Sequence, residues 1–147
     1  MMLELQATPA EVMRAVEALQ EFAPANGVPE KAVFGLALAL EECASNIVNH
    51  ALKRDERQTF HVILDQSGDQ FLIELRDRGT AFDPTTAQRR TQRDGDDNTL
   101  GGWGLELVRH YIDDIRYARC EGENVLRLIK RLSSTDPRTN HSHQTEP

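Results

Sequence analysis

Glu42, Asn46 and Asn49 stand at i, i+4 and i+7 of a segment otherwise rich in apolar residues, with His50 adjoining. In a helix, that spacing puts the carboxylate and both amides on one face. Such groups are costly against an apolar surround unless something polar sits beside them. A nucleotide with its metal ion would meet that need. Asn46 offers an oxygen to Mg²⁺, which takes hard oxygen ligands and keeps several waters. Glu42, one turn away, can orient a hydroxyl or a water for attack on a phosphate. The same spacing also describes the wet edge of a helix. The neighbouring Glu41 points elsewhere and reads as a surface carboxylate.

A second group is Asp77-Arg78-Gly79-Thr80-Ala81-Phe82-Asp83-Pro84. At the end of a strand, Asp77 can accept a hydrogen bond from an exocyclic amine such as adenine's. Gly79 lets the backbone turn closely under a ring, and Phe82 can pack at the pocket edge. The competing reading is a plain turn. A third group, Gly101-Gly102-Trp103-Gly104-Leu105, opens a helix; free N–H groups and the positive dipole end there favour phosphate. It also reads as a flexible junction. Between them, residues 84–99 carry one apolar side chain, Ala87. A stretch of that length is a functional lid or disordered. Its Arg89, Arg90 and Arg93 can reach a terminal phosphate or simply be solvated, while Asp94, Asp96 and Asp97 would repel one.

Each group is ambiguous alone. Their order is more telling: an acid–amide helix, a strand ending in Asp-x-Gly, a polar lid, then a glycine-rich helix start. All lie at element ends or on one helix face, where a single pocket can collect them. The chain has no Walker-type Gly-x-x-x-x-Gly-Lys, no His-Glu-x-x-His and no Gly-x-Ser-x-Gly.

The elements that must position these residues are legible from periodicity. Residues 2–6 alternate as a short strand. Thr8-Pro9-Ala10-Glu11 reads as a capped helix start, with Val12, Val16, Leu19 and Ala23 on one face, Phe22 beside them, and Asn26-Gly27 as the stop. Val28-Pro29 opens a longer helix to about Leu52, apolar enough to be buried along most of its length. Strands at 58–66 and 70–77 flank the turn Ser67-Gly68-Asp69. A third helix carries Leu105, Val108 and Ile112, and strands at 115–121 and 124–132 form a second hairpin around Gly122. This order predicts an α/β two-layer sandwich: a mixed, mostly antiparallel sheet of about five strands with three helices on one face. One domain spans 1–132, with a mobile lid at about 84–100. The polar tail 133–147, with His141 and His143, is expected to be disordered.

Composition narrows the function. The chain has 147 residues and a formal net charge of −7, which argues against a nucleic-acid binder held by phosphate contacts. The longest apolar run, around Ala32–Leu40, is too short to span a bilayer, and the N-terminus lacks a signal-type stretch, so a cytoplasmic location is expected. Cys43 and Cys120 have no CxxC spacing and read as buried, reduced thiols.

The combined pattern resembles the GHKL-type ATPase domain, the Bergerat fold shared by histidine kinase catalytic domains, gyrase and MutL. Glu42 to His50 resembles the N box, Asp77 to Pro84 the first glycine box, and Gly102 to Val108 the second. The resemblance runs from about residue 4 to 132. Within the superfamily the chain is most similar to the anti-sigma-factor serine/threonine kinases of the partner-switching type. There is no room for a dimerising phosphoacceptor-histidine helix pair, the first glycine box has the Gly-x-x-Phe-Asp-Pro form, and the ending Val125 to Leu132 is of that branch. This implies Glu42 as catalytic base, Asn46 as Mg²⁺ ligand and Asp77 as adenine reader. It further implies a nucleotide pocket drawing on Asn49, His50, Gly79, Ala81, Phe82, Thr99, Leu100, Gly101, Gly102, Trp103, Gly104 and Leu105. Ala81 stands where many members have a second glycine, and Asn49 where histidine kinases often have lysine.

The resemblance implies an ATP- and Mg²⁺-dependent serine/threonine protein kinase. It would phosphorylate a small STAS-type anti-sigma-factor antagonist and sequester a sigma factor or similar regulator, as a homodimer, without nucleic acid or membrane. The alternative is a non-catalytic ATP-binding module that acts by sequestration alone. A gyrase- or MutL-like subunit would need transducer domains absent from this length.

Overall fold

The computed structural model describes residues 1–86 and 100–132, and only the backbone of 100–104. Most of the predicted lid, including Arg89, Arg90, Arg93, Asp94, Asp96, Asp97 and Thr99, lies outside the described residues, as does the tail from 133.

Strand β1 (Met2–Gln6) leads into α1 (Pro9–Ala25) and α2 (Glu30–Asn46). The chain continues from α2 into a π-helical turn, Ile47–Ala51. Strands β2 (Thr59–Ser67) and β3 (Gln70–Asp77) follow, then α3 (Leu100–Tyr111), β4 (Asp114–Cys120) and β5 (Glu123–Arg131). The predicted start of α1 is present: Thr8 Oγ1 accepts from the Glu11 N–H, and Pro9 sits in the first turn. The reciprocal bond of the capping box is displaced. Glu11 Oε1 takes the N–H of Gln6 instead, tying the helix start to the end of β1.

The sheet order is β1-β2-β3-β5-β4. All four pairings are antiparallel, so the expected mixed sheet contains no parallel pair among the described strands. The reason is topological. β3 and β4 do run in the same direction, but β5 lies between them and pairs with both. β1 returns to β2 through two helices, which restores the antiparallel sense.

The alternation read from sequence sets the two faces. Phe60, Val62, Leu64, Phe71, Ile73, Leu75, Leu126 and Leu128 are buried beneath the helices. α2 lies in the middle of the helical layer, packing on both α1 and α3. Gly35 permits the second contact, since a Cβ there would lie 2.7 Å from Tyr111 Cδ1. The helix Glu30–Ala51 spans 22 residues and is apolar enough to cross a membrane by length and composition, longer than the apolar run suggested; 61% of its most apolar window is buried in the fold, which accounts for that character. Both cysteines are free, and Cys43 is buried as expected, but Cys120 is exposed, which corrects the expectation of burial for that thiol. β4 is an edge strand, with no further strand paired to its outer side among the described residues.

The other sheet face carries an ion-pair network. Glu74 is nearly buried and takes Arg76 Nε at 2.5 Å and Arg127 Nε at 2.7 Å. Burial works to raise its pKa, but the two arginines outweigh it and hold the carboxyl below its ordinary value. Its contribution is therefore present above the ordinary carboxylate range and fades as pH falls through the lowered value. Both arginines are partly solvated, which limits the gain. Glu74→Gln is expected to cost about 1–2 kcal/mol in urea denaturation at neutral pH. The difference from the parent should shrink in acid.

Candidate functional site

A small cleft lies where the C-terminal end of α2 meets the end of β3. Asn46 and Cys43 line it from the helix, Ile47 and Ala51 from the π turn, Asp77 from β3, and Phe82 and Pro84 from the following loop. Tyr117 and Asn124 close it from β4 and β5. Asn46, Asp77 and Phe82, predicted from three separate stretches of sequence, are thus brought together.

The backbone of the π turn holds the cleft in shape. The Ala51 carbonyl accepts from the Thr80 N–H at 3.0 Å and from Thr80 Oγ1 at 3.3 Å. Gly79 passes so close that an added Cβ would sit 2.2 Å from Ala51 O. No side chain fits there, which is the physical reason for glycine after Asp77-Arg78.

Asp77 is buried, and its side-chain hydrogen bonds among the described residues all fall on one oxygen. Oδ1 accepts from Gly79 N–H and from Asn124 Nδ2, each at 2.9 Å. Oδ2 has no partner among the described residues and can accept from a ligand. Burial raises the pKa of Asp77, opposed by the hydrogen bonds from Asn124 and Gly79 and by the charge of Arg119.

Glu42 lies one turn back from Asn46 and is half-buried. Its Oε1 is buried with no hydrogen-bond partner among the described residues. Desolvation, followed by the charge of exposed Glu41, pushes its pKa up. A buried carboxylate oxygen without a partner is expensive in a folded chain. It is also the state of a group prepared to accept a proton from an incoming hydroxyl. Cys43 beside it is inert: burial, then the Glu42 charge, pushes its thiol up to about 12.

Asn46 is buried at the cleft, and its side chain makes no hydrogen bond among the described residues, leaving its amide oxygen to offer. Asn49 is placed differently. The π turn widens the helix after Asn46, so the α-helical spacing that aligned Asn49 with Glu42 lapses. Asn49 is exposed, and its Oδ1 accepts from Arg54 Nε at 3.1 Å. His50 stacks on Phe82 with centroids 4.9 Å apart and an interplanar angle of 16°. Its pKa is lowered by partial burial and then by Arg54, which favours the neutral ring. Ala81 is exposed in the loop before Phe82.

Leu100, Gly101, Gly102, Trp103 and Gly104 form the start of α3, the helix N-terminus the sequence suggested. Leu105 is fully buried in the core. Sequence reasoning missed Asn124 and Tyr117. Asn124 is buried and pairs directly across the sheet from Asp77. A polar residue at an inward position of a strand is the signal that could have found it.

These features fit a nucleotide and a hard metal ion. Asp77 offers an acceptor with no partner among the described residues, Gly79 supplies a floor with no side chain, Asn46 an amide oxygen, and Glu42 a basic carboxylate. A wider groove on the opposite sheet face, lined by Arg76, Arg78, Arg116 and Arg127, contains none of the predicted site residues.

The family model described as the histidine kinase-like ATPase domain matches residues 5–130. The serine/threonine-protein kinase BtrW of Bordetella bronchiseptica is 33% identical over 127 residues, covering 86% of this chain and 89% of the relative. The serine-protein kinase RsbW of Listeria innocua is 29% identical over 129 residues, covering 84% and 82%. In fold, the chain is similar to a structure of the SiaB–SiaC complex from Pseudomonas aeruginosa, with a TM-score of 0.66, 14% identity and 88% of each chain covered.

Gly79→Ala is expected to lower stability by about 1–3 kcal/mol, because the loop must move off Ala51. Denaturant midpoints measure this. The same variant should lose the thermal shift that ATP gives the parent.

Proposed function

The chain belongs to the histidine kinase-like ATPase domain family, and on that premise we propose that it is an ATP-dependent protein serine/threonine kinase. The observation that carries this reading is Glu42. The residue is a half-buried carboxylate whose Oε1 has no partner among the described residues, one helical turn from the cleft that holds Asn46 and Asp77. The names of the kinase relatives support the same activity.

In the proposed mechanism the base enters the cleft beside Asp77, and Asp77 Oδ2 accepts from its exocyclic amine. Asn46 would hold Mg²⁺, which would supply neutralisation of phosphate charge. N–H groups at the start of α3 face the phosphate chain. A serine or threonine hydroxyl of the protein substrate attacks the terminal phosphorus as the bond to the ADP oxygen breaks, and Glu42 takes the hydroxyl proton. The raised pKa of Glu42 strengthens it as a base.

The substrate is proposed to be a small STAS-type anti-sigma-factor antagonist. The regulated target is a sigma factor or similar regulator, held by a cytoplasmic homodimer of this chain. The resemblance in the N box and both glycine boxes supports this, as do the kinase relatives.

Glu42→Gln should lower phosphoryl transfer by about a hundredfold or more while leaving ATP binding largely intact. Incubation with Mg-[γ-³²P]ATP and the antagonist reads the first, and a thermal shift with ATP reads the second. Undiminished transfer in the variant would remove Glu42 from the chemistry. ATP binding by the parent without any labelled product would point to sequestration alone.

A further inference from the structure

We propose that Asn124 is the positioning residue that selects the purine: it fixes the Asp77 carboxylate so that Oδ2 meets a 6-amino group and rejects a 6-oxo group. The proposal rests on the reading of the cleft as the nucleotide site. It adds to the Asp77 adenine contact a residue that the motifs do not contain.

Asn124 uses the full hydrogen-bonding capacity of its amide. Nδ2 donates to Asp77 Oδ1 at 2.9 Å and to the Thr80 carbonyl at 2.8 Å. Oδ1 accepts from the Phe82 N–H at 3.4 Å and from the Tyr117 hydroxyl. Two acceptors face the nitrogen and two donors face the oxygen, so only one orientation of the amide satisfies all four. The amide is buried, and reversing it would set like against like at Asp77, Thr80 and the Phe82 N–H, although the Tyr117 hydroxyl can serve either way.

That fixed amide restrains Asp77. The terminal torsion of an aspartate is broad and soft, so an unrestrained carboxylate could present either oxygen at many angles. Here Gly79 N–H and Asn124 Nδ2 both hold Oδ1. The carboxylate plane is set, and Oδ2 is left for the ligand. A fixed anionic acceptor attracts an amine and repels a carbonyl oxygen. The donors also oppose the tendency of burial to protonate Asp77, and a protonated Asp77 could donate to a 6-oxo group. Asn124 therefore guards both the angle and the charge on which discrimination depends. Tyr117, through the hydroxyl it points at Oδ1, supports the amide from the edge strand.

The test compares MgATP with MgITP, whose base carries oxygen in place of nitrogen at position 6. Competition against a fluorescent ATP analogue gives both affinities for the parent, Asn124→Ala, Asn124→Ser and Tyr117→Phe, with unfolding midpoints recorded alongside. The parent should prefer ATP. Asn124→Ala should lower that preference by about tenfold or more, mainly through weaker ATP binding. Asn124→Ser keeps a donor and should recover part of it. Tyr117→Phe should lower it by a few-fold, about the effect of one neutral hydrogen bond. Should Asn124→Ala fail to fold, Tyr117→Phe carries the decision. Equal loss for both nucleotides, or an unchanged preference in folded variants, would overturn the role of Asn124. A parent that binds neither nucleotide would instead overturn the site itself.

Discussion

The site depends on one contact: the Ala51 carbonyl at the end of the π turn receiving the Gly79–Thr80 loop. Two hydrogen bonds from Thr80 fix the loop, and the bare backbone of Gly79 allows the approach. Through that contact the polar end of a core helix meets the end of a central strand. Asn46 and Asp77, 31 residues apart in the chain, then share one cleft. The π turn supplies the carbonyl and also turns Asn49 aside to Arg54. π turns of this kind recur at functional sites because an extra residue in a helical turn redirects side chains and frees backbone groups.

The cleft is assembled against local stability. Glu42 keeps a buried oxygen without a partner among the described residues, and burial pushes the pKa of both Glu42 and Asp77 up. An acid held above its ordinary pKa favours the folded state below the unfolded value and loses that advantage as pH rises through the folded value. At neutral pH both carboxylates therefore weigh on the fold. Glu74 behaves in the opposite sense, held low by Arg76 and Arg127 on the far face of the sheet. The stabilising ion pairs thus sit where there is no predicted chemistry, and the costly carboxylates sit where there is. This division is expected when function, rather than stability, sets the residue.

Much of this was legible in sequence because it depends on periodicity and on residue type. Alternation placed β2 and β3 and their buried faces, and Thr8-Pro9 with Glu11 placed the start of α1. The resemblance carried by Glu42, Asn46, Asp77 and the glycines named the family whose model spans residues 5–130. Other features were not legible, for physical reasons. No propensity marks Ile47–Ala51 as π-helical, so Asn49 was projected along an ideal helix. Strand order is a long-range property, so the insertion of β5 between β3 and β4 left no local trace. Asn124 becomes visible only once register sets it opposite Asp77, and the exposure of Cys120 only once β4 is known to be an edge.

The central claim is that the cleft between α2 and β3 takes the base of a nucleotide whose metal-bound phosphates run toward α3. A crystal structure with Mg²⁺ and a non-hydrolysable ATP analogue tests it most directly. The account predicts the 6-amino group within hydrogen-bonding distance of Asp77 Oδ2 and the metal on Asn46 Oδ1. A nucleotide seated instead in the arginine-lined groove on the opposite sheet face, with the Asp77 cleft left to water, would contradict it.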